Sequence, residues 1–344
     1  MKTLSQIIGI LLLGTLLISC SSEGSNSNST KPKARGSIGE IILVIDSAKY
    51  AGPVGDALKD IFEADLPGMV RSESKFKVNT VDPRAMTRML KMSTNLIYVT
   101  TFDDRGSSSQ VINAQFSKES KEKALNDPSL YSLRVEDEYA VGQEVLYLFG
   151  NTEEQLVKNL KKNGDRLQNL FEVRERGRLE KIILARKNTA ANAEAEKNLG
   201  IQINIPASYQ VAKSVPNFLW VRQPTPTANR ADISLFFHVE DYVSEEQTFP
   251  ENILKIRDSV ARNHIFGDPD DPTSYVVTEK QIVPAFRNMG GSYLGYLMVD
   301  EKKGKLYYIE GFVFYPNEVH RDALREIETI LLNTDVSWIP DQGA

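Results

Sequence analysis

Cysteine occurs once in the 344 residues, at position 20, and histidine only three times. A single thiol excludes an internal disulfide, so the fold must hold through a large buried core, which a chain of this length can build. His238, His264 and His320 lie far apart and show no metal-ligand spacing. A strand position, the last turn of one helix and the first turn of another account for them. The chain also lacks a G-x-G-x-x-G or Walker loop, an H-E-x-x-H pair and a G-x-S-x-G elbow. The S-x-x-K spacings at 72–75 and 120–123 sit in polar stretches without K-T-G or S-D-N companions. Asp268, Asp270 and Asp271 alternate with prolines as in a rigid turn and lack the glycine and distal glutamate of a calcium loop. No nucleophile, base and orienter set emerges, so the expectation is a binding module with no cofactor rather than an enzyme. No basic run offsets the net charge of −5, which argues against a nucleic-acid partner.

Apolar runs long enough to cross a bilayer are absent as well. Residues 7–20, IIGILLLGTLLISC, fall short of the ~20 apolar residues a span needs and read as a cleaved signal after Lys2. Leu17, Ile18, Ser19 and Cys20 have the form of a lipoprotein signal, in which the thiol receives a diacylglyceryl group before cleavage in front of it. Several acyl chains on Cys20 make a stable membrane anchor, at about 0.8 kcal/mol for each buried methylene. Removal of Lys2 takes the formal charge from −5 to −6. Residues 20–37 read as the lipidated Cys and a polar, flexible tether. Glu23 is its one acid, where surface-exported lipoproteins carry an acidic cluster, so the expectation is a cell-envelope protein anchored in the outer membrane and facing the periplasm.

From residue 38 the pattern becomes globular. Strands are expected at 41–45, 76–81 and 96–102, separated by a helix with Val54, Leu58, Ile61 and Phe62 on one face and another with Met86, Met89 and Leu90. This β-α-β-α-β alternation predicts a mostly parallel sheet covered by helices. Further strands are expected at 111–116 and 144–149, with a polar helix or loop at 118–126. Thr152 and Gln155 form a capping box that opens the clearest helix, carrying Leu156, Leu160, Leu167, Leu170, Phe171, Leu179, Ile182 and Ile183, with bends at Gly164 or Gly177. The run Arg174-Glu175-Arg176-Gly177-Arg178 has the mixed charge of a solvated, salt-bridged face.

Asp46, Asp82 and the pair Asp103-Asp104 follow the first three strands and would meet at the carboxyl edge of the sheet, where open α/β sheets bind ligands. Asp46, Asp103 and Asp104 are therefore the candidate metal ligands, for a divalent cation held by oxygen. In outline this resembles the acidic pocket of receiver-type domains, without their Thr and Lys at the ends of later strands. The competing reading makes Asp82 a helix cap and Asp103-Asp104 a turn.

Residues 188–200 continue the long helix or link two halves, and a boundary near 195 divides an α/β domain, 38–195, from an α+β domain, 196–344. The second domain is expected to hold strands at 201–205, 218–222, 233–239 and 275–280, and a helix at 250–265 stopped by Gly267. A hairpin at 292–300 and 305–315 and a helix at 318–332 capped by Asn317 complete it. Such grouping predicts an antiparallel sheet flanked by helices, and its layout resembles that of PsbP and Mog1-like domains, which implies protein binding. Both faces of the hairpin are apolar, which makes Tyr293, Tyr296 and Tyr307 candidate partner-binding residues for an envelope protein. The lipobox, the segment 144–184 with its NLKKNGDRL and RERGR runs, and the closing hairpin and helix together resemble an uncharacterised family of Bacteroidota lipoproteins. That resemblance implies envelope location and no assigned activity. The functional expectation is a membrane-anchored scaffold or protein-binding module, with a small-molecule or metal-binding protein or an enzyme with its site at the acidic sheet edge as the alternative.

Overall fold

The computed structural model describes residues 31–66, 69, 71–224, 231–264, 292–315 and 318–336. Cys20, the rest of the signal, Asp268 to Asp271, Gly267, the strand expected at 275–280 and the cap Asn317 lie outside the described residues.

The first domain holds a five-stranded sheet of β1 (Glu40–Val44), β2 (Lys77–Val81), β3 (Asn95–Thr101), β4 (Ser132–Glu136) and β5 (Glu144–Gly150), in the order β2-β1-β3-β5-β4. All pairs are parallel except β4 with β5, so the sheet is mostly parallel as expected. Every residue of β3 and β5 is buried, as continuous apolar strands covered on both faces must be. The short α1 (Ser47–Tyr50) follows β1. One face of the sheet is covered by α2 (Pro53–Phe62) and the 31-residue α5 (Glu153–Ile183), around Phe62, Phe76 and Phe171. The other packs Ile112 of α3 (Ser107–Asn113) and Ala124 of α4 (Lys118–Asn126).

Several local expectations change. The strand expected at 111–116 is helix α3 and the turn after it, because Ser108, Ser109, Ile112 and Asn113 are buried at helical spacing while Val111 faces out. The helix expected around Met86 and Leu90 is two isolated 3₁₀ turns, Pro83–Ala85 and Leu90–Met92, with Met86 packed on the core but Met89 78% exposed, so the expected face is not buried together. Helix α5 breaks at Asn163 (φ −117°, ψ 16°), whose side-chain amide donates to the Asn159 carbonyl at 2.8 Å. Gly164 beside it gives room to α2: a Cβ there would stand 3.2 Å from Ile61.

Helix α6 (Thr189–Leu199) is separate from α5, capped by Asn188 and ended by Gly200 in the left-handed region (φ 66°). Ala191, Ala195 and Leu199 join the second core, which thus begins on the near side of position 195. The second sheet is antiparallel throughout, in the order β6-β7-β8-β10-β9, with β6 (Gln210–Val215), β7 (Phe218–Gln223), β8 (Asp232–Asp241), β9 (Tyr293–Asp300) and β10 (Lys305–Phe314). Residues 201–205 form no strand. Ile201, Ile203 and Ile205 are buried in alternation, but the segment pairs only through isolated bridges at its ends.

Helices α6 and α8 (Arg321–Leu331) cover one face of this sheet, and α7 (Pro250–His264) packs on the other. Gly311 admits α8: a Cβ there would meet Ile327 at 2.3 Å. On the α7 side Arg257 and Glu310 are both fully buried, with Nε to Oε2 at 2.6 Å and the Tyr308 hydroxyl donating to the same carboxylate at 2.6 Å. Helix α8 also meets the first domain, through Arg325, which donates to the Lys75 carbonyl at 3.0 Å and lies over the Phe76 ring. No helix among the described residues is long and apolar enough to cross a membrane.

Candidate functional site

The carboxyl edge of the first sheet is organised around a cation that sequence reasoning passed over. Asp46 caps α1, accepting from the amides of Ala48 at 2.9 Å and Lys49 at 3.2 Å. That turn carries the Lys49 side chain, 6% exposed, inward to Asp104 at 3.3 Å, Glu153 at 3.6 Å and the Thr101 hydroxyl at 3.2 Å. Asp104 further accepts from Ser109 Oγ at 2.6 Å and the Gly106 amide at 2.7 Å. Burial pushes its pKa up, but those hydrogen bonds and the Lys49 charge outweigh it and hold it below the usual carboxylate range. Asp82 caps the turn at Pro83, takes both arms of the Arg84 guanidinium at 2.9 Å and accepts from Ser108 at 2.8 Å. The Arg84 hydrogen bonds hold its pKa far below normal.

The expected trio of Asp46, Asp103 and Asp104 is therefore not one cluster. Asp46 is committed to a cap and Asp104 to Lys49. Asp103 is exposed, its side chain without a hydrogen bond or ion pair among the described residues. Among those residues no group of three or more His, Cys, Asp or Glu could hold a metal ion.

A larger opening lies elsewhere, along the second half of α5. It is a groove of about 980 Å³ between that helix, β4, and residues 33–38, 94 and 141–142. Residues 32–35, expected in the flexible tether, are fixed here: the Ala34 amide donates to the Val141 carbonyl at 2.9 Å and the Arg35 amide to Met92 at 2.8 Å. Leu146, Leu167, Leu170 and Leu179 contribute apolar lining, and Val173 and Ile182 are 49% and 69% exposed along it. Three arginines in the wall have acidic partners. Arg134 grips the buried Glu144 with two hydrogen bonds, at 2.6 and 2.9 Å, and Arg174 reaches Glu136 at 3.1 Å. Arg178 pairs with the buried Glu175 and donates to Asn95 at 2.9 Å and to the carbonyls of Thr94 and Gly142 at 3.1 and 3.0 Å. Glu175 in turn accepts from the Gly39 amide at 2.9 Å and Asn95 at 2.8 Å, which ties α5 to the starts of β1 and β3.

Four more lining cations, Lys33, Arg35, Arg166 and Lys181, are exposed, and among the described residues none forms a salt bridge. The Arg174 to Arg178 run therefore splits three ways. Arg174 and Arg178 face the groove, Arg176 reaches Glu328 of α8 at 3.4 Å, and Gly177 leaves open space where a side chain would stand. Linear charge mixing suggested a solvated face; the sign imbalance appears only when distant segments meet.

Of the hairpin tyrosines Tyr307 is buried, while Tyr293 and Tyr296 are half-buried on the edge strand β9. Tyr307 is 2% exposed in the second core, Tyr296 packs against that core with its hydroxyl 3.5 Å from Glu328, and Tyr293 lies under the Arg257 guanidinium at 4.2 Å. Helices α7 and α8 cover the two apolar faces, and Tyr307 has no surface to offer a partner. The histidines are also dispersed: His264 stacks on Phe218 at 4.1 Å, His238 is 3.4 Å from Glu240, and His320 sits between Ser292 Oγ at 3.0 Å and the Tyr315 carbonyl at 2.8 Å.

No curated protein and no solved structure matches the chain. Residues 34–184 match the family model of a domain of unknown function, DUF8532, and residues 188–289 and 285–333 match that of a second, DUF4837. The chain thus joins two domains of unknown function, consistent with an uncharacterised family, and their junction falls between α5 and α6.

Proposed function

We propose that the protein is a binding module of the cell envelope, of the Bacteroidota lipoprotein kind, held at a membrane through acylated Cys20 and carrying its ligand in the groove along α5. The observation that carries this reading is the groove itself. It has the volume of a ligand site, an apolar lining and a few convergent charged groups. In the hairpin Tyr307 is buried and the edge strand β9 is half-buried, which leaves the groove the better-formed surface for a ligand.

Metabolic labelling with a palmitate analogue tests the anchor: label on the wild type and none on Cys20→Ser is expected, and label surviving the substitution overturns it. Cross-linking in intact cells from a photoreactive residue at Val173 tests the groove. A discrete envelope adduct is expected there and not from the exposed Val243; equal capture from both positions overturns the reading.

A further inference from the structure

The groove combines two recognition chemistries. Leu170, Val173 and Ile182 offer apolar contact along α5, while Lys33, Arg35, Arg166 and Lys181 present exposed positive charge without acidic partners among the described residues. A ligand that satisfies both is an anionic amphiphile. The whole chain is acidic, so this patch opposes the net charge and is not a by-product of it. One wall of the groove is also the landing point of the tether. Lys33 stands thirteen residues after Cys20, a separation that spans at most about 45 Å fully extended. With Cys20 acylated, the groove cannot leave the neighbourhood of the bilayer.

Resting on the anchored binding module above, we infer that the groove takes a phosphate-bearing membrane phospholipid, with acyl chain on Leu170 and Val173 and headgroup among Lys33, Arg35 and Lys181. Guanidinium groups suit this role because they donate to phosphate in paired geometry. An acidic peptide would match the charge but would leave backbone amides and carbonyls over the apolar stretch of Leu170 and Val173, which offers them no hydrogen bonds.

The test adds water-soluble dihexanoyl-phosphatidylglycerol to the full-length chain in nonionic detergent and counts bound lipid by native mass spectrometry. Dihexanoyl-phosphatidylcholine, glycerol phosphate and an oligoglutamate peptide are run alongside. One-to-one binding of phosphatidylglycerol is expected, weakened about tenfold or more by Arg35→Glu with Lys181→Glu. Those side chains are exposed and make no salt bridge among the described residues, so an unchanged melting temperature is expected to show the variant folded. Val173→Asp is expected to weaken the lipid and leave glycerol phosphate unaffected. Equal binding of phosphatidylcholine, binding indifferent to the charge reversal, or preference for oligoglutamate each overturns the inference. Because lipid is supplied in solution, the result is independent of Cys20 acylation, which palmitate labelling decides separately.

Discussion

The Glu73 carboxylate, 9% exposed in the first domain, accepts a hydrogen bond from the Arg321 backbone amide at the start of α8, at 2.9 Å. The same oxygen accepts from the His320 amide at 2.8 Å. Helix amides left without partners at an N-terminus are usually satisfied by a neighbouring cap residue. Here the cap comes from 248 positions earlier in the chain, so the last helix of one domain is finished by the other. Glu73→Ala should destabilise the protein by about 1–2 kcal/mol through the lost cap and charge. Calorimetry is expected to show α8 and the domain contact loosening together; an unchanged melting profile would count against a coupling role.

Arg257→Met strands the fully buried Glu310 carboxylate and should cost about 3–5 kcal/mol. The double variant Arg257→Met with Glu310→Met removes both charges and should be more stable than the single one, since apolar replacement of a buried pair is often near neutral. Urea midpoints compare them. A double variant less stable than Arg257→Met would show that the Tyr308 hydroxyl depends on Glu310 more than the charge balance does.

The depressed pKa of Asp104 has a defined sign. Its folded value lies below the unfolded one of about 3.9, so the stabilisation is fully present above that pH and is lost as pH falls through the folded value. Acid denaturation of the wild type should steepen below about pH 4, and Asp104→Asn should flatten that limb while lowering stability at pH 7. An acid limb with the same slope in the variant would assign the transition to other carboxylates.

Millimolar Mg²⁺ or Ca²⁺ should leave the melting temperature unchanged, because Asp46 is engaged as a cap and Asp104 already faces the Lys49 ammonium. Asp46→Asn should be nearly silent, since Asn caps helices about as well as Asp. A metal-dependent rise in melting temperature abolished by Asp46→Asn would restore the acidic edge as a cation site.

Lys49→Met should act in the opposite direction to a simple gain of apolar burial. It leaves the partly exposed Asp104 and Glu153 without the cation between them, and a loss of about 1–3 kcal/mol is expected. Combining it with Asp104→Asn should recover part of that loss in thermal melts. Strict additivity of the two substitutions would show that the ion pair carries no coupling.

Much of the architecture was already written in local pattern. The continuous apolar runs of β1, β3 and β5, the helical faces of α2 and α5, and the grouping of strands in the second half determine a mostly parallel sheet followed by an antiparallel one, because burial follows periodicity. Caps were equally legible at Asp82 and Thr152, since each acts within three residues, whereas Asp46 read as a metal ligand and proves to be the cap of α1. Short or half-exposed elements were not. β4 buries no residue outright and exists by pairing with β5, while the alternation of Ile201 to Ile205 is real but finds no partner strand. The destination of long side chains was decided only by the tertiary structure. Lys49 neutralises the acidic edge, Tyr307 enters the core, and Arg35 and Lys181 line one groove from segments more than a hundred positions apart. Charge acts through distance in space, and no local spacing encodes which distant segments the sheet and its helices will bring together.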